Sequence, residues 1–162
     1  MQAARAHPAP ELDEHGLRLA YGRFATGVAF VTAEVGGMPL GLIVSSFTAV
    51  SLDPPLVSFC PARDSLTWRR MRLARRFAVN VLAAHHGEFA RRAAAPGADR
   101  FADPAVMRDA LAVLECDAEA EHAAGDHTIV VGRVRALRVS SGTEPLVHFT
   151  GRFGGFEPKE TP

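Results

Sequence analysis

Residues 115–121, ECDAEAE, alternate without a break: Glu115, Asp117, Glu119 and Glu121 occupy one set of positions, and Cys116, Ala118 and Ala120 the other. A period of two sends successive side chains to opposite faces, so this segment is expected to be a strand with one wet and one dry face. The turn-forming AAGD follows, then HTIVVGRVRALRV at 127–139, a long run rich in β-branched residues. A long hairpin of this kind constrains the fold more than any other feature of the chain.

The other apolar runs are similar. VAFVTAEV (28–35) ends at Gly36-Gly37, where two glycines permit the positive φ of a tight turn, and GLIVSSF (41–47) is its expected partner strand. PLVSFC (55–60), FAVNVL (77–82) and PLVHFT (145–150) read as further strands. Helices are expected within 11–24, from an N-cap at Ser65 towards Arg75 and Arg76, over 85–95 before Pro96-Gly97, and around Val106. Six or seven strands, mostly joined by hairpins, favour a mainly β fold with inserted helices, an antiparallel barrel. A parallel doubly wound sheet would need a helix after nearly every strand. Residues 1–10, rich in Ala and Pro, are expected to form a disordered tail, 11–156 the folded domain, and 157–162 a C-terminal tail.

Composition excludes several classes. A length of 162 residues suits one domain, and 18 basic against 18 acidic side chains leave no net field to draw the chain to nucleic acid or an anionic membrane. No apolar run approaches the ~20 residues of a membrane-spanning helix, and no apolar block follows Arg5 as in a secretory signal. Cys60 and Cys116 are far apart, with no CxxC, in keeping with reduced thiols. A cytoplasmic location is expected.

There is no GxxxxGK[ST], no GxGxxG after a strand, no HExxH and no GxSxG. His85 and His86 are adjacent, so on a helix they are expected to point apart and not to grip one metal ion. Three places remain. Ser45, Ser46, Thr48 and Ser51 crowd the approach to Asp53-Pro54-Pro55, where the prolines should stop a regular ladder: a decorated loop, or the rim of an anion pocket. Arg63, Ser65 and Thr67 meet an expected helix start, either a capped helix with a solvated arginine or a phosphate site. Gly125-Asp126-His127-Thr128 delivers a histidine at a strand start, either a turn residue or a functional one.

The motifs RFATGVAFVT (23–32), SSFTAVSLDPPLV (45–57), C-x-x-R-x-S-x-T (60–67), RFAVNVL (76–82), GDHTIVVGRV (125–134) and PLVHFTGRFG (145–154) together resemble the short-chain flavin reductases of the FMN-binding split-barrel superfamily. Members of that family are the reductase components of two-component flavin-dependent monooxygenases. The resemblance implies an antiparallel split β-barrel, homodimeric, with flavin near the interface. It also implies hydride transfer from NADH, or NADPH, to N5 of FMN or FAD, and supply of reduced flavin to a separate monooxygenase or halogenase. The alternative is a non-catalytic barrel of the same kind that keeps FMN for sensing or storage.

By the same resemblance, Val44, Ser45, Ser46, Phe47, Thr48 and Ser51 would line the ring and ribityl chain, largely through backbone N–H groups and short hydroxyls. Cys60, Arg63, Ser65 and Thr67 would take the phosphate, with Ser65 foremost. His127 would place the nicotinamide over the flavin, acting as an orienting group before an acid or base, and Arg152 would reach nucleotide or flavin from the last strand. Gly41-Leu42-Ile43 departs from the family's usual Gly-Met-Thr, losing a hydroxyl and, by expectation, any side-chain contact there. No basic cluster marks a 2′-phosphate pocket, which favours NADH.

Overall fold

Gly36 and Gly37 take φ of 60° and 76°, the left-handed region that a tight hairpin requires. In the computed structural model they join β2 (Ala29–Val35) to β3 (Met38–Val44), paired antiparallel from Ala29↔Val44 to Val35↔Met38. The structure describes residues 12–141 and 144–156, so both expected tails lie outside the described residues. A short two-residue strand, β1 (Thr26–Gly27), precedes this hairpin, and helix α1 (Glu14–Tyr21), capped by the Asp13 carboxylate on the Gly16 N–H, precedes both.

After β3 come β4 (Thr48–Leu52), β5 (Pro55–Phe59), helix α2 (Leu66–Met71) and β6 (Arg76–Val81). A 3-10 turn, Ala84–His86, leads into α3 (Gly87–Ala93), followed by α4 (Ala105–Arg108). The long hairpin is β7 (Ala112–Ala124) and β8 (His127–Val139), and two three-residue strands follow, β9 (Val147–Phe149) and β10 (Arg152–Gly154). Seven strands form one antiparallel sheet in the order β3-β2-β6-β7-β8-β5-β4, and β1-β9-β10 form a second.

That order forces a barrel. Laid flat, seven strands at about 4.8 Å spacing would put the outer two nearly 30 Å apart. Yet the outer two, β3 and β4, are consecutive in the chain, and the four Cα steps from Val44 to Thr48 reach only about 15 Å. The sheet must curl until its edges face each other. The residues that cross the split are 45–47.

The interior is filled from alternate positions: Ala29 and Val31 of β2, Val57 and Phe59 of β5, Phe77 and Val79 of β6, Cys116 of β7 and Val130 of β8. Trp68 and Met71 pack into this core from α2, with Trp68 edge-on to Phe59 at 5.8 Å. At Gly41 a methyl group would overlap the ring of Phe30, so only glycine lets β3 lie against that side chain. Val28 and Phe30 lie under α3 and α4 with Leu82, Phe89 and Val106 in a second cluster. Both faces of β2 are therefore dry, which is why its sequence does not alternate.

The structure departs from the sequence expectations in several places, among them the expected strand over 41–47, which ends at Val44. The dry face of residues 115–121 holds only at Cys116, because register shifts at Glu115/Cys116 and Ala118/Ala120 turn the ribbon outward and leave Ala118 exposed. Helix α2 stops at Met71, so Arg69 and Arg70 occupy its last turn while Arg76 opens β6. The ladder is not stopped by Asp53-Pro54-Pro55. Asp53 and Pro54, joined by a cis bond, make the turn, and Pro55 pairs with Leu52 as the first residue of β5, before the ladder to β8 begins at Leu56, a position where a missing N–H is tolerated. Lastly β10, not expected, adds a strand beyond β9.

Candidate active site

The segment that spans the split has unusual backbone chemistry. Among the described residues, no backbone hydrogen bond is made by the N–H of Ser45, Ser46 or Phe47. The segment is held instead by a side chain. Thr48 pairs with Ser58, and two residues further out the Ser46 hydroxyl accepts the Cys60 N–H at 2.9 Å and donates to the Cys60 carbonyl at 3.4 Å. Ser46 thus prolongs the β4–β5 ladder with its hydroxyl and leaves three amide donors beside the gap.

Residues 61–65 close the second side. The Thr128 N–H donates to the Pro61 carbonyl at 3.0 Å, the Arg63 N–H to the Asp126 carbonyl at 2.9 Å, and Ala62 bridges His127. These bonds fasten the lead into α2 to the β7–β8 turn, where Gly125 has φ of 63°. Ser65 caps α2, its hydroxyl accepting the Trp68 N–H at 3.2 Å and keeping its own proton for another acceptor. His127 is half-buried, and its Nδ1 lies 2.7 Å from the Asp126 carboxylate. That hydrogen bond holds Asp126 below the usual carboxylate range.

Between the two sides opens a cleft of about 480 Å³. Of the residues singled out in the sequence, Val44, Ser45, Ser46, Cys60, Ser65 and His127 line it. Arg63 lies in an adjoining hollow that shares Ala62. Phe47 packs against the barrel core, and Thr48 and Ser51 stay on β4, outside the lining. Thr67 is in the first turn of α2 and Arg152 is exposed on β10, both also outside it. Leu42, Ile43, Pro61 and Ala62 line the cleft as well. The expectation that Leu42 and Ile43 make no contact there is corrected: they supply an apolar wall in place of a hydroxyl. The signal for them was their position one to two residues before Val44 on the same strand.

Two other places are less suited to a ligand. A larger hollow of about 710 Å³ beside β6 and β7 contains Arg76 and Arg135, but both guanidiniums already pair with Asp117, at 3.3 and 2.6 Å. The adjacent His85 and His86 do not point apart. In the 3-10 turn their ring centroids are 4.0 Å apart, and one ligand atom from each, together with Asp109, lies within 4.8 Å of the others. The regular-helix spacing assumed from the sequence does not apply to a single tight turn running into α3. His86 is poorly suited to a metal all the same. Its Nδ1 accepts the Ala83 N–H at 3.1 Å, so the ring proton of the neutral form sits on Nε2 and leaves no lone pair there. Burial, with a smaller contribution from His85, lowers the His86 pKa and keeps the ring neutral.

Comparison with known proteins shows the family. Residues 21–157 match the family described as the flavin reductase like domain. A flavin reductase of Pseudomonas putida is 37% identical over 155 residues, covering 90% of this chain and 91% of its own. The reductase subunit HsaB of a flavin-dependent monooxygenase from Rhodococcus jostii is 34% identical over 162 residues, covering 94% and 83%. Among solved structures, the NADH:FAD oxidoreductase SgcE6 of Streptomyces globisporus, in complex with NAD and FAD fragments, has a TM-score of 0.87 at 33% identity, covering 96% of this chain and all of that one. The split between β3 and β4, and the histidine held opposite it, are therefore features of a chain that belongs to the flavin reductase family of split barrels.

Proposed function

We propose that the protein is an NAD(P)H:flavin oxidoreductase that reduces FMN or FAD with NADH and releases reduced flavin to a separate flavin-dependent monooxygenase or halogenase. The observation that carries this reading is the meeting, in one cleft, of His127 with Ser45 and Ser46, whose amides have no backbone partner among the described residues. The donor set suits a flavin: backbone N–H groups for the carbonyl edge of the ring, the apolar end of β3 at residues 42–44 beside its plane, and the Ser65 hydroxyl proton for a phosphate. A flavin held by these residues would supply the electron sink for the hydride.

Each side chain has a limited task. Residues 44–46 hold the ring by its edge, and Ser46, occupied by Cys60, acts through its backbone. Ser65 takes the flavin phosphate, with Arg63 and Thr67 supporting and Cys60 filling the wall. Thr48, Ser51 and Phe47 stiffen the edge strand beneath the ring, and Arg152 serves the nucleotide from β10. With Nδ1 directed at the Asp126 carboxylate, Nε2 of His127 is left to meet the nicotinamide carboxamide. This orients the donor and requires no proton transfer. The assembly proposed is a homodimer. Among the described residues no helix is long and apolar enough to cross a membrane.

The test is NADH oxidation by the purified protein with FMN or FAD, against flavin plus NADH alone. Flavin-dependent turnover, and loss of flavin on dialysis, are expected. A protein that stays yellow through dialysis and oxidises NADH only at background would be a flavin carrier, and the proposal would fail.

A further inference from the structure

Beside the flavin cleft, and sharing Ala62 with it, is a second hollow of about 390 Å³ lined also by Arg63, Asp64, Arg69, Gly125 and Asp126. Its two guanidiniums are fixed by carbonyls. Arg63 Nη1 donates to Gly125 O at 3.2 Å, and Arg69 Nε donates to Arg63 O at 3.3 Å. Among the described residues neither forms an ion pair with a carboxylate, whereas Arg72, Arg76, Arg133 and Arg135 all do. Each therefore keeps N–H donors for an anion, held at a defined place by a bond that does not neutralise it.

The anion cannot be a lone one. The Asp64 and Asp126 carboxylates lie in the same hollow and oppose negative charge, and the hydrogen bond from His127 does not remove that of Asp126. A free phosphate would bind poorly against them. A phosphate delivered as part of a ligand already anchored in the cleft would not need to, since the anchored part supplies the effective concentration. Position agrees: Arg69 lies one turn along α2 from Ser65, its N–H bonded to the Ser65 carbonyl at 3.0 Å, and Ser65 is where the first phosphate is proposed to sit.

We infer that this hollow receives the second phosphate and adenosine of FAD, with Arg69 as the residue that sets a preference for FAD over FMN. The inference rests on the flavin cleft proposed above. An FMN molecule ends at Ser65 and leaves Arg69 untouched, while FAD continues past it.

The experiment compares wild type, Arg69→Gln and the surface control Arg92→Gln as full chains. It measures FMN and FAD binding by quenching of flavin fluorescence, and KM for FMN, FAD and NADH at steady state. Arg69→Gln is expected to weaken FAD by about tenfold, the order of one charge-assisted hydrogen bond, with FMN and NADH within about twofold and Arg92→Gln like wild type. Equal weakening of both flavins would make Arg69 part of a single-phosphate site. A rise confined to the KM for NADH would assign the hollow to the ADP arm of the nucleotide. Either result, or no change, overturns the inference. Flavin binding without turnover would remove the reductase reading and leave the FMN–FAD comparison intact.

Discussion

Replacing Ser46 by alanine tests how the split is held open. One hydroxyl accepts the Cys60 N–H at 2.9 Å and donates to the Cys60 carbonyl at 3.4 Å. Its removal leaves a backbone donor without a partner at a half-buried site, where the cost lies at the lower end of the range for an orphaned group, about 1–1.5 kcal/mol. For a chain of this size each kcal/mol moves the melting temperature by about 2–4 °C, so a fall of roughly 2–6 °C is expected. The control is Ser45→Ala next door, where an exposed hydroxyl makes no hydrogen bond among the described residues and the change should stay within about 0.5 kcal/mol. Both variants are melted without flavin and then titrated with FMN. Ser46→Ala should also bind FMN more weakly, because the amides at 45–47 lose the anchor that holds them in place. If the two variants melt together, the hydroxyl is not what fastens the crossing segment, and the account of the cleft is wrong at its base.

Two other outcomes are expected. His127→Ala should raise KM for NADH more than KM for flavin if the ring orients the nicotinamide as proposed, and equal effects on both would remove that role. His86 is kept neutral by burial, its folded pKa lying below the ordinary 6.5, so the unfolded chain binds the proton first. The stabilisation is therefore complete above about pH 6.5 and is lost as pH falls through the lowered value. Melting between pH 8 and pH 5 should show a steeper loss in wild type than in His86→Gln, and parallel curves would contradict it.

The strands were legible where a residue's neighbours along the chain also decide its environment. The β7–β8 hairpin and the turn at Gly36-Gly37 were of that kind, since a period of two and a pair of glycines act locally. The short strand β10 was not: three residues carry no period, and it exists because β9 is there to pair with it. The end of α2 was misplaced because arginines suit both a helix terminus and the start of a strand, and packing of Trp68 and Met71 decides between them. In the site, the motifs marked segments that meet at one cleft, and six of the residues singled out line it, but others do not. Thr48 and Ser51 carry attractive hydroxyls but belong to the edge strand, while plain Leu42 and Ala62 form the wall. The proximity of His85 and His86 depended on a single 3-10 turn, which a helical wheel does not represent.

The sheet's first and last strands are neighbours in the chain, joined by residues 45–47. Every other strand of that sheet must therefore be in its place before these two edges can come face to face, although the peptide between them is made early in synthesis. A nascent or half-assembled polypeptide would carry the whole 45–65 motif and still capture no ligand. Capture of the yellow cofactor would then report completion of the entire barrel, and fluorescence quenching during refolding should trail the recovery of secondary structure.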